Sequence, residues 1–232
     1  MPTILSIETA TPVCSASLSI DGKVIVNEES HQGQSHASLL GVFVSDIMDY
    51  VRQNSLTIDA IAVSSGPGSY TGLRIGVSEA KGLSYGLGIP MIAIPTAQIM
   101  ASMMIGKINN DYWLCPMIDA RRMEVYSTIF DQSLNQIRKT SADIIDDNSY
   151  KELLNKNKIA FFGSGAEKCK NVLTHSNALF IENIDPLASG MVLLAEKAFE
   201  NKEFVDSAYF EPFYLKEFVA TVPKNKIINI KN

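Results

Sequence analysis

Only three cysteines occur in this chain. Cys14, Cys115 and Cys169 lie too far apart in sequence to form a metal-spaced pair, and such sparse use suits a reducing compartment rather than a disulfide framework. Histidine is as scarce. His31 and His36 miss the i, i+4 spacing that puts two imidazoles on one helix face, so no metal site is expected, and His175 reads as a helix end. No Ser/His/Asp or Cys/His grouping marks a nucleophile. No apolar run approaches membrane-spanning length, and Thr3 to Ile7 opens directly as a strand rather than as a basic region followed by an apolar stretch. A cytoplasmic protein with no membrane role is therefore expected. Positive charge is also short. Twenty Lys and Arg against 25 Asp and Glu give a net charge of -5, so no field draws nucleic acid to the chain on its own, and a partner would supply most of the positive surface if RNA is involved. Lys216, Lys224, Lys226 and Lys231 read as a solvated, locally basic tail.

What the chain does have is glycine in one place. Gly66-Pro67-Gly68-Ser69-Tyr70-Thr71-Gly72-Leu73-Arg74-Ile75-Gly76 follows the apolar run Ala60 to Val63 and opens a helix that runs to about Gly86. A glycine-rich strand-to-helix turn suggests a phosphate cradle. Here there is no Lys-Ser/Thr pair at its end, the spacing is not that of a dinucleotide fingerprint, and Pro67 removes an N–H donor. A structural turn capped by Ser69 or Thr71 is favoured. Gly72, Gly76, Gly82 and Gly86 continue into the helix, each costing about 1 kcal/mol relative to alanine. Close approach of another surface is the expected compensation.

The order of elements reads βββαβαβα, with strands Thr3–Glu8, Val13–Ile20 and Lys23–Glu28, the second and third joined by an Asp21-Gly22 hairpin turn. A helix from about Ser35 to Asn54 follows, then the Ala60 strand, the glycine-led helix, a strand at Met91–Ile94 and a helix from Thr96 to about Met104. A polar stretch then interrupts, and the order partly restarts with strands at Tyr112–Ile118, Met123–Phe130 and Leu134–Thr140. A helix near Tyr150, a strand at Ile159–Phe162 and helices over 166–173 and 186–201 complete it. Two related α/β halves are expected, 1–104 and 105–232.

Two helices of the first half, the one from about Ser35 and the glycine-led one, carry wide apolar arcs. Gly72, Leu73, Gly76, Val77 and Ala80 share one small-residue arc. Leu39, Leu40, Phe43, Val44, Ile47, Met48, Tyr50 and Val51 cover about half of the earlier helix. A helix on one sheet needs a stripe only a little over ~100° wide. The excess points to burial on a second side, by a partner or by the chain's own second half. Two acids end strands: Glu8 and Asp119. They could hold Mg²⁺ and a water in a cleft, or simply cap turns.

The segment Gly66–Gly76, together with Ile4 to Thr11, Asp119-Ala120-Arg121-Arg122-Met123-Glu124-Val125-Tyr126, Gly163-Ser164-Gly165-Ala166-Glu167 and Pro212-Phe213-Tyr214-Leu215, resembles the bacterial TsaB (YeaZ) family over most of the chain. The resemblance implies an α/β, two-lobed actin-like and sugar-kinase-like ATPase (ribonuclease H-like) fold with βββαβα lobes. It implies a non-catalytic partner and activator of the TsaD transferase in threonylcarbamoyladenosine modification of tRNA next to the anticodon. Neither cofactor nor metal is expected. TsaD and the ATPase TsaE are the implied partners, with a homodimer when TsaD is absent and tRNA reached only through the complex. Pairing would use the two helices, at Leu39, Phe43, Ile47, Tyr50, Gly72, Leu73, Gly76 and Ala80, and Gly76→Arg would abolish it while leaving the monomer folded.

The chain departs from the family pattern in carrying Glu8 where relatives commonly have Asp, and Met123 where a small or polar residue is common. TsaD's His-x-x-x-His pair has no counterpart, Asp119-Ala120-Arg121 lacks phosphate-cradling glycines, and Gly163 and Gly165 resemble a reduced adenosine-side loop. The rival expectation is a small ATP-binding phosphotransferase or ATPase of the same superfamily using Glu8 and Asp119 with Mg²⁺.

Overall fold

A computed structural model describes residues 2–33 and 36–216. Its strands are β1 Thr3–Glu8, β2 Cys14–Ile20, β3 Lys23–Ser30, β4 Ala60–Ser64, β5 Met91–Ile94, β6 Tyr112–Asp119, β7 Glu124–Phe130, β8 Gln136–Ile144, β9 Lys158–Phe162 and β10 Ala178–Ile181. The helices are α1 His36–Gln53, α2 Tyr70–Leu87, α3 Thr96–Ser102, α4 Lys151–Leu154 and α5 Val192–Glu200.

Two five-stranded sheets repeat one plan. The first runs β3-β2-β1-β4-β5 and the second β8-β7-β6-β9-β10. In each, three antiparallel strands are followed by two that join parallel to the first. This is the two-lobed actin-like, ribonuclease H-like α/β fold. Asp21 and Gly22, both at positive φ, make the expected hairpin turn.

The first sheet is buried on both faces, which is why β1, β2 and β4 carry almost unbroken runs of buried residues. Leu5, Ile7, Leu18 and Val63 meet Leu40, Val44 and Ile47 of α1 and Val77 and Ala80 of α2. On the opposite face Ile4, Ala60, Ile92 and Ile94 meet Met191, Ala195 and Ala198 of α5 and the 3-10 turn before it. Meanwhile α3 packs Ala97, Met100 and Ala101 onto Leu114, Ile118 and Phe162 of the second sheet.

Several expectations need correction. Helix α5 lies beyond residue 105 yet is part of the first sheet's core, so a division at 104/105 does not separate the packing. Residues 166–173 hold only a 3-10 turn, Glu167–Cys169. The four-residue β10 was missed, and β8 runs later than predicted, to Ile144. The predicted helix start at Ser35 lies outside the described residues, as do Lys224, Lys226 and Lys231.

Candidate functional site

The glycine turn is folded onto its own chain. Ser69 donates its N–H to the carbonyl of Ala10 at 2.7 Å and caps α2 by accepting from Gly72 N–H at 3.3 Å. A Cβ on Gly68 would strike the Ala10 carbonyl, one on Gly72 the Thr9 carbonyl, and one on Gly76 the Thr9 hydroxyl. That hydroxyl donates to the Gly72 carbonyl at 2.8 Å. The glycines thus let α2 lie directly on the β1–β2 turn. The Ala10, Ser69 and Gly72 N–H groups each have an acceptor within the chain.

Glu8 points into this turn. Its Oε1 accepts from Ala10 N–H at 2.6 Å, while Oε2 is enclosed with no hydrogen-bond partner among the described residues. The side chain is fully buried. Burial pushes the carboxyl up to about 7, with the Ala10 N–H pulling the other way. Asp119 lies in the second lobe, where it pairs with Lys168 and accepts from Arg121 N–H at 3.0 Å. The two acids considered for Mg²⁺ are thus engaged separately. All three cysteines are buried thiols, and burial pushes Cys14 up to about 11 and Cys115 higher still, away from nucleophilic character.

A strap formed by residues 205–216 lies over the glycine turn, and sequence reasoning assigned it no role. Val205 N–H bonds the Met91 carbonyl at 2.9 Å, Lys81 donates to the Ala208 carbonyl at 3.2 Å, and Phe213 N–H bonds the Ser65 carbonyl at 2.7 Å. Gly66 sits at φ 103, and a Cβ there would lie 2.7 Å from the Phe213 carbonyl oxygen. Tyr214 packs on Tyr70 with ring centroids 4.5 Å apart, and Arg74 donates to both tyrosine hydroxyls and lies over the Tyr70 ring. Lys216 then pairs with Glu124 at the start of β7. The available signal was the aromatic group Phe210, Phe213 and Tyr214 preceding a Lys- and Asn-rich end.

Gly163 and Gly165 are packing glycines. Gly163 has φ 102, and its Cβ would lie 2.5 Å from the Met117 carbonyl; Gly165 N–H bonds that same carbonyl at 2.9 Å. His36, the one buried histidine, bonds the Thr11 and Val13 carbonyls through Nε2.

The eight residues expected at a partner interface divide by depth. Ile47, Gly72, Leu73, Gly76 and Ala80 are buried against the chain's own sheet and β1–β2 turn, while Leu39, Phe43 and Tyr50 are half-buried. The small-residue arc of α2 is therefore an intramolecular contact, and Gly76→Arg would disrupt the fold rather than report on pairing. The outward faces are different residues: Ser38, Gly41, Val42 and Ser45 on α1, and Ser78, Gly82, Tyr85 and Gly86 on α2. Tyr85 is 89% exposed and Val42 51%. A Cβ at Gly41, Gly82 or Gly86 would have nothing within 4 Å.

A family model described as TsaD, tRNA N6-adenosine threonylcarbamoyltransferase, matches residues 23–224. The chain is 30% identical over 223 residues to the tRNA threonylcarbamoyladenosine biosynthesis protein TsaB of Escherichia coli, covering 94% of this chain and 96% of that one. This chain belongs to the TsaB family. The Haemophilus influenzae TsaB is 27% identical, with 94% of both chains covered. Two solved structures share the fold. YeaZ from Pseudomonas aeruginosa superposes with a TM-score of 0.77 at 24% identity, covering 93% of this chain and all of that one. A second Pseudomonas aeruginosa protein, described as similar to peptidase YEAZ, reaches 0.80 at 23% identity, again covering 93% of this chain and all of that one. Among the described residues of this TsaB-family chain, no group of three or more His, Cys, Asp or Glu could hold a metal ion, and no helix is long and apolar enough to cross a membrane.

Proposed function

We propose that this chain is a non-catalytic partner and activator of a TsaD-type transferase in threonylcarbamoyladenosine modification of tRNA, working beside a TsaE-type ATPase in the bacterial cytoplasm. The observation that carries the pairing is the outer face of α1 and α2. Three helix glycines, Gly41, Gly82 and Gly86, meet nothing in this chain, although Gly41 and Gly82, within their helices, each cost about 1 kcal/mol relative to alanine. Beside them Tyr85 and Val42 present apolar surface to solvent. A second helical pair laid across this face would bury Tyr85 and use the glycines for close backbone approach. The half-buried Leu39, Phe43 and Tyr50 would border the contact. In the absence of the transferase, a second copy of this chain would meet the same face.

The engagement of Glu8 and Asp119 supports a non-catalytic role. Glu8 is fully buried, out of reach of solvent water or a metal ion, and Asp119 is paired with Lys168.

Co-purification with the TsaD-type protein of the same genome tests the reading. Gly82→Arg, at a position with open space around it, keeps the wild-type melting temperature and loses pairing by at least a hundredfold. Wild-type affinity in that folded variant rejects the interface.

A further inference from the structure

Besides covering the glycine turn, the strap runs alongside α2 in the opposite direction. Val205 N–H bonds the Met91 carbonyl beyond the end of α2, Lys81 donates to the Ala208 carbonyl, and Arg74, near the start of the helix, donates to the Tyr214 hydroxyl. Arg74, Ser78, Lys81 and Tyr85 are spaced i, i+4, i+7 and i+11, so they share one strip of α2, and Ser78 and Tyr85 on that strip are exposed. The strap therefore borders the outward face of α2. Residues 206–209 extend that face as a third ridge beside the two helices.

This ridge holds one residue out. Asp206 Oδ1 accepts from the N–H groups of Ala208 at 2.8 Å and Tyr209 at 3.3 Å, and the Asp206 carbonyl accepts from Phe210 N–H at 2.8 Å. Phe210 itself packs against the first lobe's core. Although the backbone on both sides is anchored, Tyr209 is 85% exposed, and its side chain makes no ring contact or hydrogen bond among the described residues. Tyr85, one helical turn from Lys81, is in the same condition. A tyrosine on a fixed backbone offers a large contact area and loses little freedom on binding.

Glycines bring two helices close but supply no side chain, so Gly41, Gly82 and Gly86 leave the pairing face short of contact area. A stable interface buries roughly 800 Å² on each partner. One aromatic side chain supplies roughly 150–250 Å² of it. We propose, on the pairing reading above, that Tyr209 is a second anchor of that interface beside Tyr85. The TsaD-type partner reaches past α2 onto the strap and receives the Tyr209 ring on an apolar shelf, with a polar group at its rim for the hydroxyl. Continuity with the outward face of α1 and α2 and the area a stable pair needs both favour this occupant. The strap that seals the glycine turn thus also presents part of the partner contact.

The test is isothermal titration of the full chain with the TsaD-type protein of the same genome, with a thermal melt of each variant. Tyr209→Ala melts as wild type and weakens pairing by about tenfold or more. Tyr209→Phe, which keeps the ring, loses less. Leu193→Ala removes another exposed apolar side chain, from α5 on the opposite face of the first sheet, and leaves affinity unchanged. Wild-type affinity in Tyr209→Ala together with loss of pairing in Gly82→Arg overturns the anchor while leaving the pairing face intact. An equal loss in Leu193→Ala, or a fall in melting temperature that accounts for the loss in Tyr209→Ala, also overturns it. Wild-type affinity in Gly82→Arg, or a wild-type chain that does not pair, overturns the reading on which the anchor rests.

Discussion

Thr9 and Gly72 hold the first lobe's most distinctive segment in place: the Thr9 hydroxyl donates to the Gly72 carbonyl at 2.8 Å, and the Thr9 carbonyl occupies the space a Gly72 side chain would need. Helix α2 thereby closes onto the β1–β2 turn.

The helix glycines should separate cleanly on substitution. Gly72→Ala forces a methyl against backbone and is expected to cost about 2 kcal/mol or more. Gly82→Ala meets nothing and should raise stability by about 1 kcal/mol. Thermal melts of both variants check this, and equal effects of like sign would refute the division into inward and outward glycines.

Glu8 gives the chain a pH-dependent term. Its folded value near 7 lies above the ordinary carboxyl value of 4.5, so the fold favours the protonated form. The associated stability is complete below about pH 4.5 and declines as pH rises through 7. Glu8→Gln removes that decline and at pH 8 should exceed wild type by up to about 3 kcal/mol. Denaturant titrations at pH 5 and 8 measure it. A wild-type and variant difference that does not change between these pH values contradicts the assignment.

How far the sequence could be read depended on the range of the interactions involved. The βββαβα order of the first half, the Asp21-Gly22 turn and the Ser69 cap follow from short-range periodicity and turn chemistry, and all are present. The arc of Gly72, Leu73, Gly76 and Ala80 was visible, but not which surface it meets. Thr9 lies more than sixty residues away, and helix periodicity says nothing of such a contact. The strap was hidden for the same reason, since Tyr214 and Tyr70 are joined only by tertiary packing. In the second half, β10 is four residues long and gives too little alternation to register.

The strap also explains a glycine. Gly66→Ala places a methyl against the Phe213 carbonyl at a positive φ, and should destabilise by about 2 kcal/mol or more. In a chain truncated after Phe210 the steric part of that cost disappears. If Gly66→Ala is as damaging in the truncated chain as in the intact one, the strap is not what selects glycine here.

In the second lobe, Asp143 is bound by both terminal nitrogens of Arg138, at 2.7 and 2.5 Å, and by the hydroxyls of Ser127 and Tyr150. Burial pushes its carboxyl up, but these donors more than offset that and hold it at about 2. Asp143→Ala leaves Arg138 part-buried without its partner and should cost about 3 kcal/mol. In a double-mutant cycle, Arg138→Met should recover part of that loss; strict additivity of the two changes speaks against the network.

In its proposed role this chain acts through a transferase rather than as an enzyme. Its most direct test is reconstitution of tRNA threonylcarbamoyladenosine formation from purified TsaD-type transferase, TsaE-type ATPase, threonylcarbamoyl-adenylate and unmodified tRNA, with and without this chain. Modified tRNA is expected only when the chain is present, with Glu8→Gln as active as wild type and Gly82→Arg inactive. Modification at the full rate without the chain, or turnover by the chain alone that Glu8→Gln abolishes, contradicts it.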